Sequence, residues 1–166
     1  MAARLAEERA TVMDADGPDE AFDTALRALG DSSGPPVPAS GFCSASGWYA
    51  HWPVMSLDGY RGVCDVLLNR PERAVPVFQT RLDFPLPPLR RAIILTDLGA
   101  AYASQDQPEE AAACLNEAHD LNEASGHSLG FQRILGACEK LRGVDSPAVR
   151  QLFARLHLPP RSGAWT

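Results

Sequence analysis

Gly62, Gly99 and Gly136 stand 37 residues apart, and the residues around them keep the same step. From Ala111 the step reaches Ala74 and Ala148; from Leu115 it reaches Phe78 and Leu152. A recurrence of this length marks a stacked repeat, in which each unit covers its neighbour's apolar face. The clearest unit spans 95–118, LTDLGAAYASQDQPEEAAACLNEA. Leu95, Leu98, Tyr102, Leu115 and Ala118 fall at helical spacing and fill a seam. Gly99 and Ala111 are small, which lets two antiparallel helices cross closely. Asp106-Gln107-Pro108 is the turn; Pro108 suits a first helical turn because its missing N–H would have no partner there.

The same reading extends along the chain. It predicts helices over 54–68 and 71–82, joined by a turn at Asn69-Arg70. A second pair covers 89–104 and 108–124, ended by Gly126 as a C-cap. A third covers 129–141 and 147–156, with Ser146 as N-cap before Pro147. The N-terminal unit is degenerate. Its first helix is roughly 2–14, with Arg9 at the small-residue position, and its second carries Ala21, Ala25 and Ala28 as the seam. Residues 30–47, GDSSGPPVPASGFCSASG, read as an irregular loop. The expectation is an all-α superhelix of about four antiparallel hairpins, one domain over 1–158, with a flexible tail at 159–166.

Charge narrows the function classes. The net charge is −6 and the pI about 5.1, against the basic face a nucleic-acid binder shows. Fourteen arginines accompany a single lysine, Lys140. No apolar run is long enough to span a membrane. The first residues, MAARLAEERATVMDA, carry acids and no apolar core, so no secretory leader is read there and a cytoplasmic location is expected. Cys43, Cys64, Cys114 and Cys138 lack CxxC spacing and are expected to be reduced.

This spacing resembles the tetratricopeptide repeat, although its period exceeds the usual length of about 34 residues. The order of segments extends the resemblance. ALRAL is followed by a Pro-rich loop, then GWYAHW, YRGVC, LLNRPERAVPVF and DLGAAYASQDQPEEAA. That order resembles the C-terminal repeat region of actinobacterial lambda-repressor-like (XRE) helix-turn-helix regulators. Those regulators begin with a DNA-binding domain, and no basic recognition helix is present in this sequence. The resemblance therefore implies the sensing or interaction half: a protein or peptide partner, possible homodimerisation, and no direct contact with nucleic acid.

The resemblance also implies that one face of each unit's first helix lines an inner groove. In the second unit these positions are Ser56, Gly59, Val63, Val66 and Leu67. In the third they are Ile93, Thr96, Ala100, Ala103 and Ser104, and in the fourth Gly130, Arg133, Ala137, Lys140 and Leu141. Such a groove is apolar and lined by small residues, with Val63, Val66, Thr96 and Ala100 leading to Arg133 and Lys140. Those two cations are seven apart and share a helical face. They suit the carboxylate end of a peptide, or else they are solvated or paired with nearby acids. Trp48, Tyr49 and Trp52 follow the long loop. They either staple it to the next hairpin or form an aromatic anchor for a partner.

Catalytic patterns are weak. Glu109 and Glu110 are adjacent on a helix and point about 100° apart, so they do not face one substrate together. At a helix start they complement the dipole. Cys64 and Cys138 occupy the repeat position filled by Ala101 in the middle unit, which marks them as small packing residues. His51, His119, His127 and His157 are scattered, and no metal or cofactor is expected. The expected function is a non-catalytic scaffold for protein or peptide interaction in bacterial transcriptional or metabolic regulation. The alternative is a small-molecule sensor or enzyme from a biosynthetic gene cluster, using the concave pocket, with the long loop as a lid.

Overall fold

Proline sets where the helices begin. Pro71, Pro88, Pro108 and Pro147 each open a helix, where a missing N–H leaves no bond unmade. The computed structural model describes residues 17–31, 59–126 and 128–159. Among them every regular element is helical: α1 (Gly17–Asp31), α2 (59–67), α3 (Pro71–Leu82), α4 (Pro88–Ser104), α5 (Pro108–Ser125), α6 (Ser128–Cys138) and α7 (Pro147–Arg155). A 3-10 turn, Glu139–Leu141, follows α6. The fold is all-α, as expected. No helix among the described residues is long and apolar enough to cross a membrane. Trp48, Tyr49, Trp52, Cys43, the predicted helix 2–14, most of the 30–47 loop and nearly all of the 159–166 tail lie outside the described residues. The side chains of Ala25 and Ala28 do so too.

The chain divides into two units, Met1–Leu68 and Asn69–Thr166. In the first, α1 buries Ala21 and Phe22, and α2 buries Gly62, Cys64 and Asp65. Arg61 Nη2 on α2 lies 3.7 Å from Asp19 Oδ1 on α1. Both groups are well exposed, so this pair contributes little to stability.

The second unit is built on α4 and α5, which form the most extensive helix pair. A three-residue turn joins them. Leu95, Ala111, Leu115 and Ala118 are almost wholly buried in the seam. Tyr102 packs against the same core, and its hydroxyl oxygen accepts from Gln79 Nε2 at 2.8 Å, tying α3 to α4. On the other side α6 packs on both α4 and α5, and α7 packs on α5. Ile134, Leu141, Val149 and Leu152 complete the core.

The recurrence survives in the backbone as well as in the core. Asn69 and Asp106 both have φ of 55°, and Gly143 has φ of 90°. These three left-handed residues stand 37 apart. Ala74 and Ala111 are wholly buried, and so are Phe78, Leu115 and Leu152. Gly126 caps α5 with φ of 68°, its N–H donating back to Asn122 O and Glu123 O. Ser146 caps α7, its hydroxyl accepting from Ala148 N.

The repeat read over 129–156 departs from the predicted register. Gly136 is exposed, and a β-carbon there would meet nothing within 4 Å. It is not at a close helix crossing. The tight position on α6 is Cys138, 1% exposed, flanked by buried Ile134, Ala137 and Leu141. Ile134, Ala137, Cys138 and Leu141 repeat the spacing of Leu95, Leu98, Gly99 and Tyr102. The physical reason is the sulfur: a thiol is small enough to take glycine's place at the seam. Leu141, expected in the groove, is therefore core. Likewise Val149 is wholly buried and Ala148 only partly so.

Candidate functional site

Of the six residues read as a groove, four meet. Thr96 and Ala100 on α4 line one open concavity with Arg133 and, beyond α6's end, Lys140; Asp97, Gly136 and Ala137 complete it. Its volume is about 190 Å³. This is small beside the several hundred Å³ of a pocket for a drug-sized ligand. Val63 and Val66 lie on α2 in the first unit, both half-buried.

The helices supply each group for a local reason. Thr96 is buried, and its hydroxyl donates to Ala92 O at 2.8 Å. That bond keeps the side chain's polar end on its own helix and turns its methyl outward from the hydrogen bond. Ser104 repeats the device one helical stretch later, donating to Ala100 O at 3.0 Å. Its oxygen lone pair then accepts from Lys140 Nζ at 2.6 Å. Gly136, exposed at the edge of the concavity, adds no side chain to it.

The two cations are not equivalent. Arg133 Nη2 reaches Asp97 Oδ1 at 2.6 Å. Of the two cations, Arg133 is the one paired with an acid among the described residues. Lys140 makes no ion pair among the described residues; its one partner is the neutral Ser104. Partial burial holds its ammonium below the ordinary lysine value. With Asp97 offset by Arg133, the locus keeps one net positive charge on a chain of net −6. The missed residue is Asp97. It lies four before Ala101 on α4 and shows no sequence signal beyond its charge, because its partner sits on another helix.

A second polar locus lies on α5. His119 and Asn122 are buried in the stripe that holds Leu115 and Ala118. The spacing 115, 118, 119, 122 is helical, so their burial was legible from periodicity. His119 Nε2 lies 3.6 Å from Glu123 Oε2, and its ring tilts against Phe131 at 6.0 Å. Asn122 Nδ2 donates to Ala118 O at 2.9 Å. His119 Nδ1 and Asn122 Oδ1 are buried and unpartnered. Gly130 makes room for the amide: a β-carbon there would lie 2.1 Å from Asn122 Oδ1.

Three cysteines and the Glu109–Glu110 pair are the other candidates among the described residues. Cys64 and Cys138 are buried and Cys114 is half-buried; all three are free thiols. Burial, then Glu117 and Glu110, pushes Cys114 up to about 11. Burial, then Glu139, pushes Cys138 up to about 12, against a lowering by Arg142. Neither is poised as a thiolate nucleophile at neutral pH. Glu109 Oε1 accepts from the Ser146 hydroxyl at 2.9 Å, which links the first turns of α5 and α7. Glu110 is exposed and no part of that link. Among the described residues no three His, Cys, Asp or Glu side chains converge as a metal site.

No protein-family model, no curated protein and no solved structure matches this chain.

Proposed function

We propose that this chain is a non-catalytic, tetratricopeptide-like scaffold that holds a protein or peptide segment against α4 and α6. The observation that carries this reading is the convergence of Thr96, Ala100, Arg133 and Lys140 on one open concavity. The hairpin of α4 and α5 and the left-handed turns 37 apart support a repeat architecture. The concavity is shallow and open, which suits one or two side chains of an extended segment better than an enclosed metabolite. Its net positive charge favours an acidic segment. By its resemblance to the repeat region of XRE-type regulators, the scaffold serves bacterial transcriptional or metabolic regulation in the cytoplasm, and self-association through the same face is part of the reading.

The test is binding of acidic and basic peptide pools to the intact chain, followed by titration and by solution mass. Acidic peptides should bind, and Lys140→Glu should weaken them at least several-fold while leaving the thermal transition in place. Arg133→Glu is a poorer probe, because it sets a second carboxylate against Asp97. A monomer that retains neither peptide pool nor any protein counts against the scaffold. If metabolites instead raise its Tm, the small-molecule sensor or enzyme becomes the better reading.

A further inference from the structure

The only lysine in the chain sits at the edge of this concavity, and its surroundings differ from those of a salt-bridged surface lysine. A carboxylate partner would hold the amine protonated. Lys140 has none among the described residues. Ser104 Oγ accepts one N–H from Nζ, and the Ser104 proton is committed to Ala100 O. The serine thus fixes the direction of the amine without supplying charge. An amine held this way, once deprotonated, keeps its lone pair for an incoming electrophile. The end of the side chain is still exposed enough to be reached.

We propose that Lys140 is a site of covalent acylation, and that the acyl donors it takes are acyl phosphates. The donor class follows from charge. An acyl phosphate carries its negative charge on the leaving group. Arg133 lies on the same wall, pairs with Asp97 through one nitrogen, and keeps further N–H donors for phosphate oxygens. The guanidinium and the ammonium that line this concavity draw a dianion toward Nζ. The ammonium first loses a proton to water. Nζ attacks the acyl carbon, the C–O bond to phosphorus breaks, and inorganic phosphate leaves with the bonding pair. A second proton leaves nitrogen, so the products are a neutral amide, hydrogen phosphate and one proton. Partial burial, which favours the neutral amine, assists the first step.

The product is a neutral amide, so acylation erases the net positive charge of the concavity. Its effect on a bound acidic segment rests on the scaffold reading; the acylation itself does not.

The experiment exposes the intact chain to acetyl phosphate, with a free lysine amide in the same tube as reference amine. Intact mass and peptide mapping read the product. Lys140 should gain one acetyl group several-fold faster than the reference, and Lys140→Arg should abolish that adduct. Arg133→Gln combined with Asp97→Asn, which leaves no unpaired carboxylate in the concavity, should slow the reaction with acetyl phosphate several-fold, yet leave the rate with an uncharged acetyl ester unchanged. Acetylation no faster than the reference, or confined to the α-amino group, overturns the proposal. An unchanged rate with acetyl phosphate in the double variant overturns the assignment of the donor. Failure of peptide binding moves none of these readouts.

Discussion

A β-carbon on Gly99 would lie 2.9 Å from Leu115 Cγ and 3.3 Å from Ala111 O. The crossing of α4 and α5 therefore admits no side chain at this point. Gly99→Leu should overpack the seam and destabilise the chain by about 1–3 kcal/mol or more. Gly136→Ala should do the reverse, because alanine is the better helix former by about 1 kcal/mol and meets no neighbour. Urea midpoints of the two variants, moving in opposite directions, check both statements.

Gly130 and Asn122 should be energetically coupled. Gly130→Ala drives a β-carbon into the buried Asn122 amide. Truncation of Asn122 to alanine removes both that clash and an unpartnered oxygen. The double variant should be more stable than the sum of the single effects predicts, by about 0.5–3 kcal/mol. Strict additivity would contradict the close approach.

Ser146 holds two elements with one hydroxyl. It accepts from Ala148 N and donates to Glu109 Oε1. Ser146→Ala should cost about 1–2 kcal/mol, at the upper part of the N-cap range because the glutamate link goes with it. Glu109→Ala should cost less, since the cap itself remains. Hydrogen exchange at the start of α7 should quicken in the first variant more than in the second.

The thiols impose a pH dependence of known sign. In the folded chain Cys114 and Cys138 are raised from 9.0 to about 11 and about 12. Folding thus favours the protonated form. Their contribution is fully present below 9.0 and is lost as pH rises through the folded values. Urea midpoints followed from neutral pH to above 9.0 should fall, and Cys138→Ala should flatten that fall. For the same reason, alkylation of Cys138 should be slow until the chain unfolds.

Much of the second unit was legible because its signals are local. Pro71, Pro108 and Pro147 open helices, Ser146 caps one, and Gly126 ends another through chemistry confined to a few neighbouring residues. Leu95, Leu98 and Leu115 declare the seam by spacing alone. The last unit was read two residues out of phase on α6. A fixed step assumes a fixed connection, whereas here the small seam residue is a cysteine and the glycine faces outward. The concavity was legible in part. Arg133 and Lys140 share a face by their spacing, but which of them finds a carboxylate depends on the distance from α6 to Asp97 on α4. No one-dimensional pattern carries that distance.

Asn69 and Asp106, each with φ of 55° and each two residues before a helix-opening proline, give the chain two equivalent joints. Each joint turns the backbone by its own local conformation, so its geometry travels with the residues that make it. A second copy of residues 70–106 spliced after Asp106 would meet the same φ of 55° at both ends. Duplicating that segment would therefore lengthen the chain by one helical hairpin and leave the local conformation of both turns as it is.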